Sequence, residues 1–369
     1  DMYVSGPIND NLTFAIGGYY RVSEGLRDVG YTADNGGQVR GNLVYTSDDD
    51  TLEIQLHYLT IDDSTAFYQN VPMQVPAFSE RGTPENPTEI DMNKVWPIGI
   101  DFGDGSVASP FTRVFTQLGE YGQRQVNLAD GIASDFDIFT LKLNKDLDSG
   151  WSLYAGLRHS EGTTDFNAMF AGNDSTTASR FLNARYENDV VSPAYAAAIS
   201  GNCEAAKLVG FFSGTCPDDY VGISRNDFVN NFAIAQSVGA FYVDDGSPVA
   251  DDTIMNFLLP FITKTNARSM SFDLRATQSF ELGGLHDITF GAYGSSYAND
   301  QNFQSSLLVA TMESQSRLAD LRGLDAAGNP IGPSLTLDGG ILPGFFGYTS
   351  DISATGQAFY IHDHWETLD

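Results

Sequence analysis

Hydrophobic and polar residues alternate with a period of two along much of the chain, the mark of strands with one apolar and one polar face. In 12–21, Leu12, Phe14, Ile16, Gly18 and Tyr20 stand against Thr13, Ala15, Gly17, Tyr19 and Arg21. Val39, Leu43 and Tyr45 alternate with Gln38, Arg40 and Asn42, and Leu52, Ile54, Leu56 and Tyr58 with Glu53, Gln55 and His57. The pattern returns at Phe139, Leu141 and Leu143, at Trp151, Leu153, Ala155 and Leu157, and at Met270, Phe272, Leu274 and Ala276. It returns again at Ile288, Phe290 and Ala292, and a last strand is expected over roughly 357–365. Each run is about 9–11 residues, the length a tilted strand needs to cross a bilayer.

The connections are of two kinds that take turns along the chain. Segments 5–10, 47–50, 146–150 and 282–284 are short and carry the Gly, Asp, Asn and Ser of tight turns. The others, roughly 24–37, 62–134, 161–267 and 299–354, are long. In an antiparallel meander this sorts every short turn to one end and every long loop to the other. That asymmetry belongs to outer-membrane barrels, with short periplasmic turns and long extracellular loops. The expected fold is therefore all-β, an antiparallel transmembrane β-barrel segment.

Charge placement tests the same idea. Arg21, Arg40, Glu53, His57, Lys142, Arg158, Asp273, Arg275 and Asp287 fall on the polar parity and are expected to face the lumen. The opposite parity is almost purely apolar, as lipid contact requires, because Arg or Lys there costs about 2–4 kcal/mol near the midplane. Gln278 and Asp363 break the rule, both near the short-turn end. A half-buried soluble sheet is the competing account of the pattern.

Composition narrows the field. Acids outnumber bases 48 to 19, for a net charge of −29 over 369 residues. A nucleic-acid partner is excluded on that balance, since it needs a basic footprint. Hydrophobic residues at 42% exclude a disordered acidic tail. With 25 Phe, 17 Tyr and 37 Gly, the chain leans towards β structure. Mean hydropathy is −0.19 and no long apolar run occurs, so no membrane helix is expected.

Several segments resemble the barrel of TonB-dependent outer-membrane receptors. Gly18-Tyr19-Tyr20-Arg21, with Leu26-Arg27-Asp28-Val29-Gly30-Tyr31 and Gly36-Gly37-Gln38-Val39-Arg40-Gly41-Asn42, resembles an early hairpin of that family. His286-Asp287-Ile288-Thr289-Phe290-Gly291-Ala292-Tyr293 is similar to a mid-barrel strand. Gln357-Ala358-Phe359-Tyr360-Ile361-His362-Asp363-His364-Trp365 resembles a family strand that has Gln where His362 stands. The resemblance implies that 1–369 is part of a receptor barrel whose plug domain and remaining strands lie outside this chain. The chain starts at Asp1 without an initiator Met and carries no TonB box, which fits a fragment. By resemblance, the whole protein would import a scarce nutrient with TonB-supplied energy across the outer membrane of a Gram-negative bacterium. Its partners would be outer-membrane lipid, the TonB complex through a missing N-terminal region, and a small molecule: a ferric siderophore, cobalamin or an oligosaccharide. A passive porin-like barrel and a secreted β-rich carbohydrate-binding or adhesion domain are the alternatives.

Candidate chemistry is sparse, and neither enzyme activity nor a cofactor is expected. Neither G-x-S-x-G nor H-E-x-x-H occurs. Asp101-Phe102-Gly103-Asp104-Gly105 reads as a loop turn. His362 and His364 share a strand face, but two ligands are too few for a tight metal site. The acidic pairs Asp218-Asp219, Asp244-Asp245 and Asp251-Asp252 read as solvated loop charge. Phe67-Tyr68, Phe211-Phe212 and Phe345-Phe346-Gly347-Tyr348 either line a ligand vestibule or pack the loops together. Leu318, Leu321 and Leu324 recur every third residue, compatible with a helical turn, and Ser192-Pro193 opens a short helix running towards Cys203.

Cys203 and Cys216, the only cysteines, share one long loop and are expected to form a disulfide in an oxidising compartment. Closing about 14 residues contributes roughly 3 kcal/mol in the chain-entropy account. Non-reducing mass spectrometry after alkylation should find the two peptides linked. Two freely alkylated thiols in protein from native membranes would refute the bond.

Overall fold

The computed structural model describes residues 1–68, 71–74, 82–83, 86–88, 91–119, 122–172, 175–182, 237–334, 336–337, 339–342 and 346–366. Nine strands dominate it: β1 (Met2–Pro7), β2 (Leu12–Ser23), β3 (Asp34–Thr46), β4 (Leu52–Thr65), β5 (Ile132–Asp146), β6 (Trp151–Ala171), β7 (Ile254–Glu281), β8 (Leu285–Ser305) and β9 (Phe346–Glu366). Each pairs antiparallel with the next in chain order, an up-and-down meander with β1 and β9 at its edges. Among the described residues no helix is long and apolar enough to cross a membrane.

The tight turns follow local chemistry. At 47–51, Asp49 Oδ1 accepts from Ser47 Oγ (2.6 Å), Thr51 N (3.2 Å) and Thr51 Oγ1 (2.9 Å). These bonds favour the carboxylate and hold the Asp49 pKa at about 2. Gly150 and Gly283 supply left-handed backbone (φ 82° and 67°) in the turns that close β5–β6 and β7–β8.

Directly opposed residues in an antiparallel ladder share a face, so the register sorts side chains without ambiguity. The row Tyr45, Ile54, Leu143, Ala155, Leu274, Ala292, Phe359 is apolar across seven strands. Leu274 is 48% exposed and Phe290 45% exposed, and no residue of this band belongs to a buried cluster. Along β7 the band runs from Phe280 to Met270. At ~3.3 Å per residue and a barrel-like tilt this spans about 25 Å of depth. Above it the same face turns abruptly polar, in the rows Thr60, Asp137, Glu161, Arg268 and Asp62, Asp135, Thr163, Asn266, Asp300, Asp351. Tyr58 and Tyr20 sit at this border and send their hydroxyls to Asp137 Oδ1 (2.5 Å) and Asn35 Oδ1 (2.7 Å). At the turn end, the rings of Phe280, His286 and Trp365 stack at 5.3 and 5.7 Å. Asp363 meets His286 Nδ1 at 2.9 Å, so its charge on the apolar parity has a partner.

Four expectations are corrected. β6, β8 and β9 run for 21 residues and β7 for 28, well beyond 9–11, so the long connections shrink to 24–33, 66–131, 172–253 and 306–345. The reason is physical: above the apolar band both faces meet water or protein and the alternation fades, while the main-chain ladder continues unaffected. The same extensions carry the charged rows, so the apolar parity is apolar only over the band. Segment 5–7 belongs to the edge strand β1, where Pro7 needs no ladder N–H. Leu321 and Leu324 lie on a strand, Ala319–Leu324, with Ala319, Leu321 and Gly323 buried and Arg322 exposed. That period of two overrides the apparent period of three. Cys203, Cys216 and the helix expected near Ser192 lie outside the described residues.

The buried core sits at the long-loop end. One cluster joins Met169, Leu258 and Ile262 of the strand ends to Phe115, Leu308, Met312 and Ile341 of the loops. A second gathers Phe181, Phe257, Val238 and Leu321 around the sheet formed by Ser237–Tyr242, Ala319–Leu324 and Pro330–Ser334.

Leu274→Arg is expected to block membrane assembly at about 2–4 kcal/mol, whereas Thr289→Arg on the polar face is tolerated. Folding into liposomes, followed by heat-modifiable gel migration, measures both. Equal tolerance would mean that the apolar face is not against lipid.

Candidate functional site

The register brings all nine charged or titratable residues named from the sequence onto one face. The row Asn42, His57, Thr140, Arg158, Ser271, Ser295 crosses six strands, and Arg40, Lys142, Asp273 and Arg275 lie within two rows of it. Arg21 lies higher, held by Asp63 Oδ2 (2.9 Å), Asp34 Oδ1 (3.7 Å) and Thr65 Oγ1 (2.7 Å). Arg275 pairs with Asp273 and lies 5.0 Å over the Tyr154 ring, and Tyr360 Oη donates to Asp273 Oδ1 at 3.2 Å. Glu53 Oε1 accepts from Gln55 Nε2 (2.8 Å) and Asn144 Nδ2 (3.1 Å), and Asp287 Oδ1 from Ser279 Oγ (2.5 Å). His57 Nε2 lies 3.3 Å from Gln55 Oε1.

Above these charges the same face becomes aromatic. Phe166 and Phe170 of β6, Phe261 of β7, Phe303 of β8, and Phe346 and Tyr348 of β9 all stand on it. Their rings touch in sequence: Phe166–Phe261 at 5.7 Å, Phe261–Phe303 at 4.3 Å, Phe303–Phe346 at 5.6 Å and Phe303–Tyr348 at 5.4 Å. Phe67, just past β4, closes the row on Phe170 at 5.0 Å. Phe303 is buried, but Phe261, Phe346 and Tyr348 keep exposed surface. The result is a continuous ring shelf that crosses four strands at the long-loop end.

Of the aromatics singled out from the sequence, Phe67, Phe346 and Tyr348 join this shelf, while Tyr68 is buried with Val29, Ala33, Ala66 and Ala108. Phe211, Phe212 and Phe345 lie outside the described residues. Phe166, Phe170, Phe261 and Phe303 were missed because they fall in segments read as loop. The signal was present in the even spacings Phe166 to Phe170 and Phe257 to Phe261, which continue the strand period.

A clamp organises the loops above. Arg317 Nη2 meets Asp244 Oδ2 (2.6 Å) and Asp245 Oδ2 (2.8 Å), and its guanidinium lies 3.6 Å from the Tyr242 ring centroid and 5.2 Å from that of Phe111. Burial works against the Arg317 charge, but its bonds to the two carboxylates prevail and raise its pKa. Ser247 Oγ and N and then Arg317 hold Asp245 at about 2. Asp244-Asp245 is thus ion-paired, not the solvated charge expected. Asp218-Asp219 lies outside the described residues. Arg317 also borders a cavity of about 690 Å³ with Asp28, Asp101, Asp104 and Glu313. Asp101 Oδ1 there caps its own turn, accepting from Gly103 N (2.7 Å) and Asp104 N (3.0 Å). His364 Nε2 lies 3.3 Å from Glu366 Oε1 at the open β9 edge. Among the described residues no three His, Cys, Asp or Glu side chains converge as a metal site.

No family model matches the chain, and no curated protein matches it. Among solved structures it is similar to the FpvAI–pyocin S2 complex, at 12% identity and TM-score 0.36, over 100% of this chain and 45% of that one. It is also similar to the ferric-catecholate import receptor Fiu of E. coli K12 in its open form (10% identity, TM-score 0.34, 97% of this chain, 48% of that one). The closed form of Fiu gives 9% identity, TM-score 0.32, 97% of this chain and 44% of that one. The chain spans less than half the length of each.

A depressed carboxylate pKa contributes stability that is full above the unfolded value near 3.8 and is lost as pH falls through the folded value of about 2. The loop cluster should therefore lose near-ultraviolet circular dichroism as pH drops from 4 towards 2 in proportion to Asp245 protonation. Arg317→Gln should weaken the signal at neutral pH and flatten the acid transition. An unchanged transition in that variant would show that the clamp does not order the loops.

Proposed function

We propose that this chain is part of the barrel of an outer-membrane transport receptor, which captures a scarce nutrient outside and imports it with TonB-supplied energy. One observation carries the reading: an apolar band about 25 Å deep that continues in register across the sheet and belongs to no buried cluster. A soluble sheet would bury that face against a second layer. Here the buried cores sit at the long-loop end, outside the band, where strand ends and loops pack together.

The opposite face, with Arg21, Arg40, Glu53, His57, Lys142, Arg158, Asp273, Arg275 and Asp287, lines a polar lumen in this reading. The ring shelf stands at its mouth, where a ligand arriving from outside meets it first. Aromatic faces accept sugars and aromatic chelators alike, so ferric siderophores, cobalamin and oligosaccharides all remain candidate substrates. The free edges of β1 and β9 pair with further strands of the parent protein, outer-membrane lipid surrounds the wall, and a plug domain outside this chain fills the lumen and reaches TonB.

The full-length protein supplies the test. In planar bilayers it should show no steady conductance, and nutrient uptake by cells should stop when either the receptor or TonB is deleted. Steady open conductance would favour the porin reading, and solubility without detergent a secreted domain. Phe261→Ala and Tyr348→Ala should each weaken ligand binding by roughly 0.5–1.5 kcal/mol, about 2- to 12-fold in Kd, with gel migration unchanged. No effect of either would remove the shelf from the binding site.

A further inference from the structure

Above its charged rows the polar face carries no charge from β5 to β9. Four successive rows cross these five strands, from Ile138, Ser160 and Ser269 up to Phe166, Thr263, Phe303 and Tyr348. No Asp, Glu, Lys or Arg stands in any of them. At the same height the reverse face holds Asp135, Asp137, Glu161, Arg268, Asp300 and Asp351. Neutrality therefore belongs to one face and not to the segment. Charges border this wall without entering it. Arg158 lies one row below Ser160, eight residues and roughly 26 Å along the strand from Phe166. Asp63, opposite Ser134, is bound to Arg21, which also meets Asp34. All four rows lie above Met270, where the apolar band ends, and so at the mouth of the face rather than at mid-wall.

Hydroxyl and amide groups take the place of charge. Ser134, Thr164, Thr265, Gln301 and Ser350 form one row directly beneath the ring row, one group per strand at ~4.8 Å spacing. Gln301 Oε1 accepts from Tyr348 Oη at 3.3 Å, which joins this row to the shelf. Two side-chain oxygens of the wall, Thr263 Oγ1 and Asn299 Oδ1, are buried without a hydrogen-bond partner among the described residues, and Thr263 is only 6% exposed. Buried polar atoms are ordinarily paired, so these two leave bonding capacity for an incoming hydroxyl.

We propose that this wall selects an uncharged oligosaccharide over an anionic metal chelate. The inference rests on the receptor reading above and names the ligand class of the same shelf. Phe261, Phe346 and Tyr348, which keep exposed surface, offer ring faces to the C–H faces of sugar rings. The hydroxyl and amide row beneath meets their hydroxyl edges, since each such group can donate as well as accept. A linear glycan repeats its hydroxyls along its length, as the row repeats its groups from strand to strand. An anionic chelate would shed hydration against this wall and find no guanidinium or ammonium to replace it. The net charge of −29 would oppose its approach further.

The test uses the full-length protein in detergent and titration calorimetry. The probes are neutral glucan, xylan, galactan and mannan hexasaccharides, a ferric tris-catecholate complex and cyanocobalamin. At least one hexasaccharide should bind saturably. Its Kd should hold as salt rises, because screening, which acts over ~10 Å at 0.1 M, has no charge attraction to weaken. Gln301→Ala should weaken that binding about 2- to 12-fold, the loss of one neutral hydrogen bond. Asp351→Asn, on the reverse face, should bind as the parent does. Heat-modifiable migration of the same samples reports the barrel independently. A folded barrel that binds no hexasaccharide, or takes only the ferric complex or cyanocobalamin, overturns the neutral-ligand inference and leaves the receptor reading standing. Unchanged binding in Gln301→Ala, or equal loss in Asp351→Asn, overturns the inference as well. Protein that never acquires barrel migration overturns both.

Discussion

Between its edge strands β1 and β9 the sheet is held by main-chain hydrogen bonds from strand to strand, and in the proposed membrane setting that ladder is the requirement on which the rest of the chain depends. In hydrocarbon an unpaired backbone group has no water to turn to and costs several kcal/mol. The ladder answers by running unbroken from β1 to β9, with β7 paired to β6 over all of β6 and to β8 along its lower two-thirds. Continuity of the backbone then frees the side chains. Because the ladder alone holds the strands, one face can be apolar and the other charged with no core between them.

The two faces divide the labour. Over the apolar band no second layer of the described residues covers the sheet, and large side chains such as Phe272 and Leu274 stay uncovered. On the other face polarity is graded along the strands. Charged residues, Asp273 and Arg275 paired among them, stand low, and a shelf of touching rings stands high. A solute moving along that face would pass from dispersion and π contacts to hydrogen bonds and charge.

The loop end obeys different physics. There the strands outlast the band and acquire covering layers, and the largest fully buried side chains, Phe181, Met169, Met255 and Leu258, collect there. Arg317 ties the parts by charge and ring contact: Asp244 and Asp245 on one side, Tyr242 and Phe111 on the other. Ser109 Oγ donates to Ser316 O at 2.5 Å and secures the same junction from a buried position.

By itself the sequence determined which side chains share a face. Alternation has a period of two whatever the neighbours are, so Arg40 and His57 could be assigned with Arg158 before any pairing was known. The short turns were equally legible, because Asp49, Gly150 and Gly283 satisfy local geometry with local atoms. Strand length was not, since above the band the ladder persists where the apolar signal stops. Only the tertiary structure decided which distant residues meet: Phe67 with Phe170, and Arg317 with Asp244. Those contacts depend on register between strands separated by long loops. Register is a property of the assembled hydrogen-bond ladder, and no stretch of sequence carries it alone.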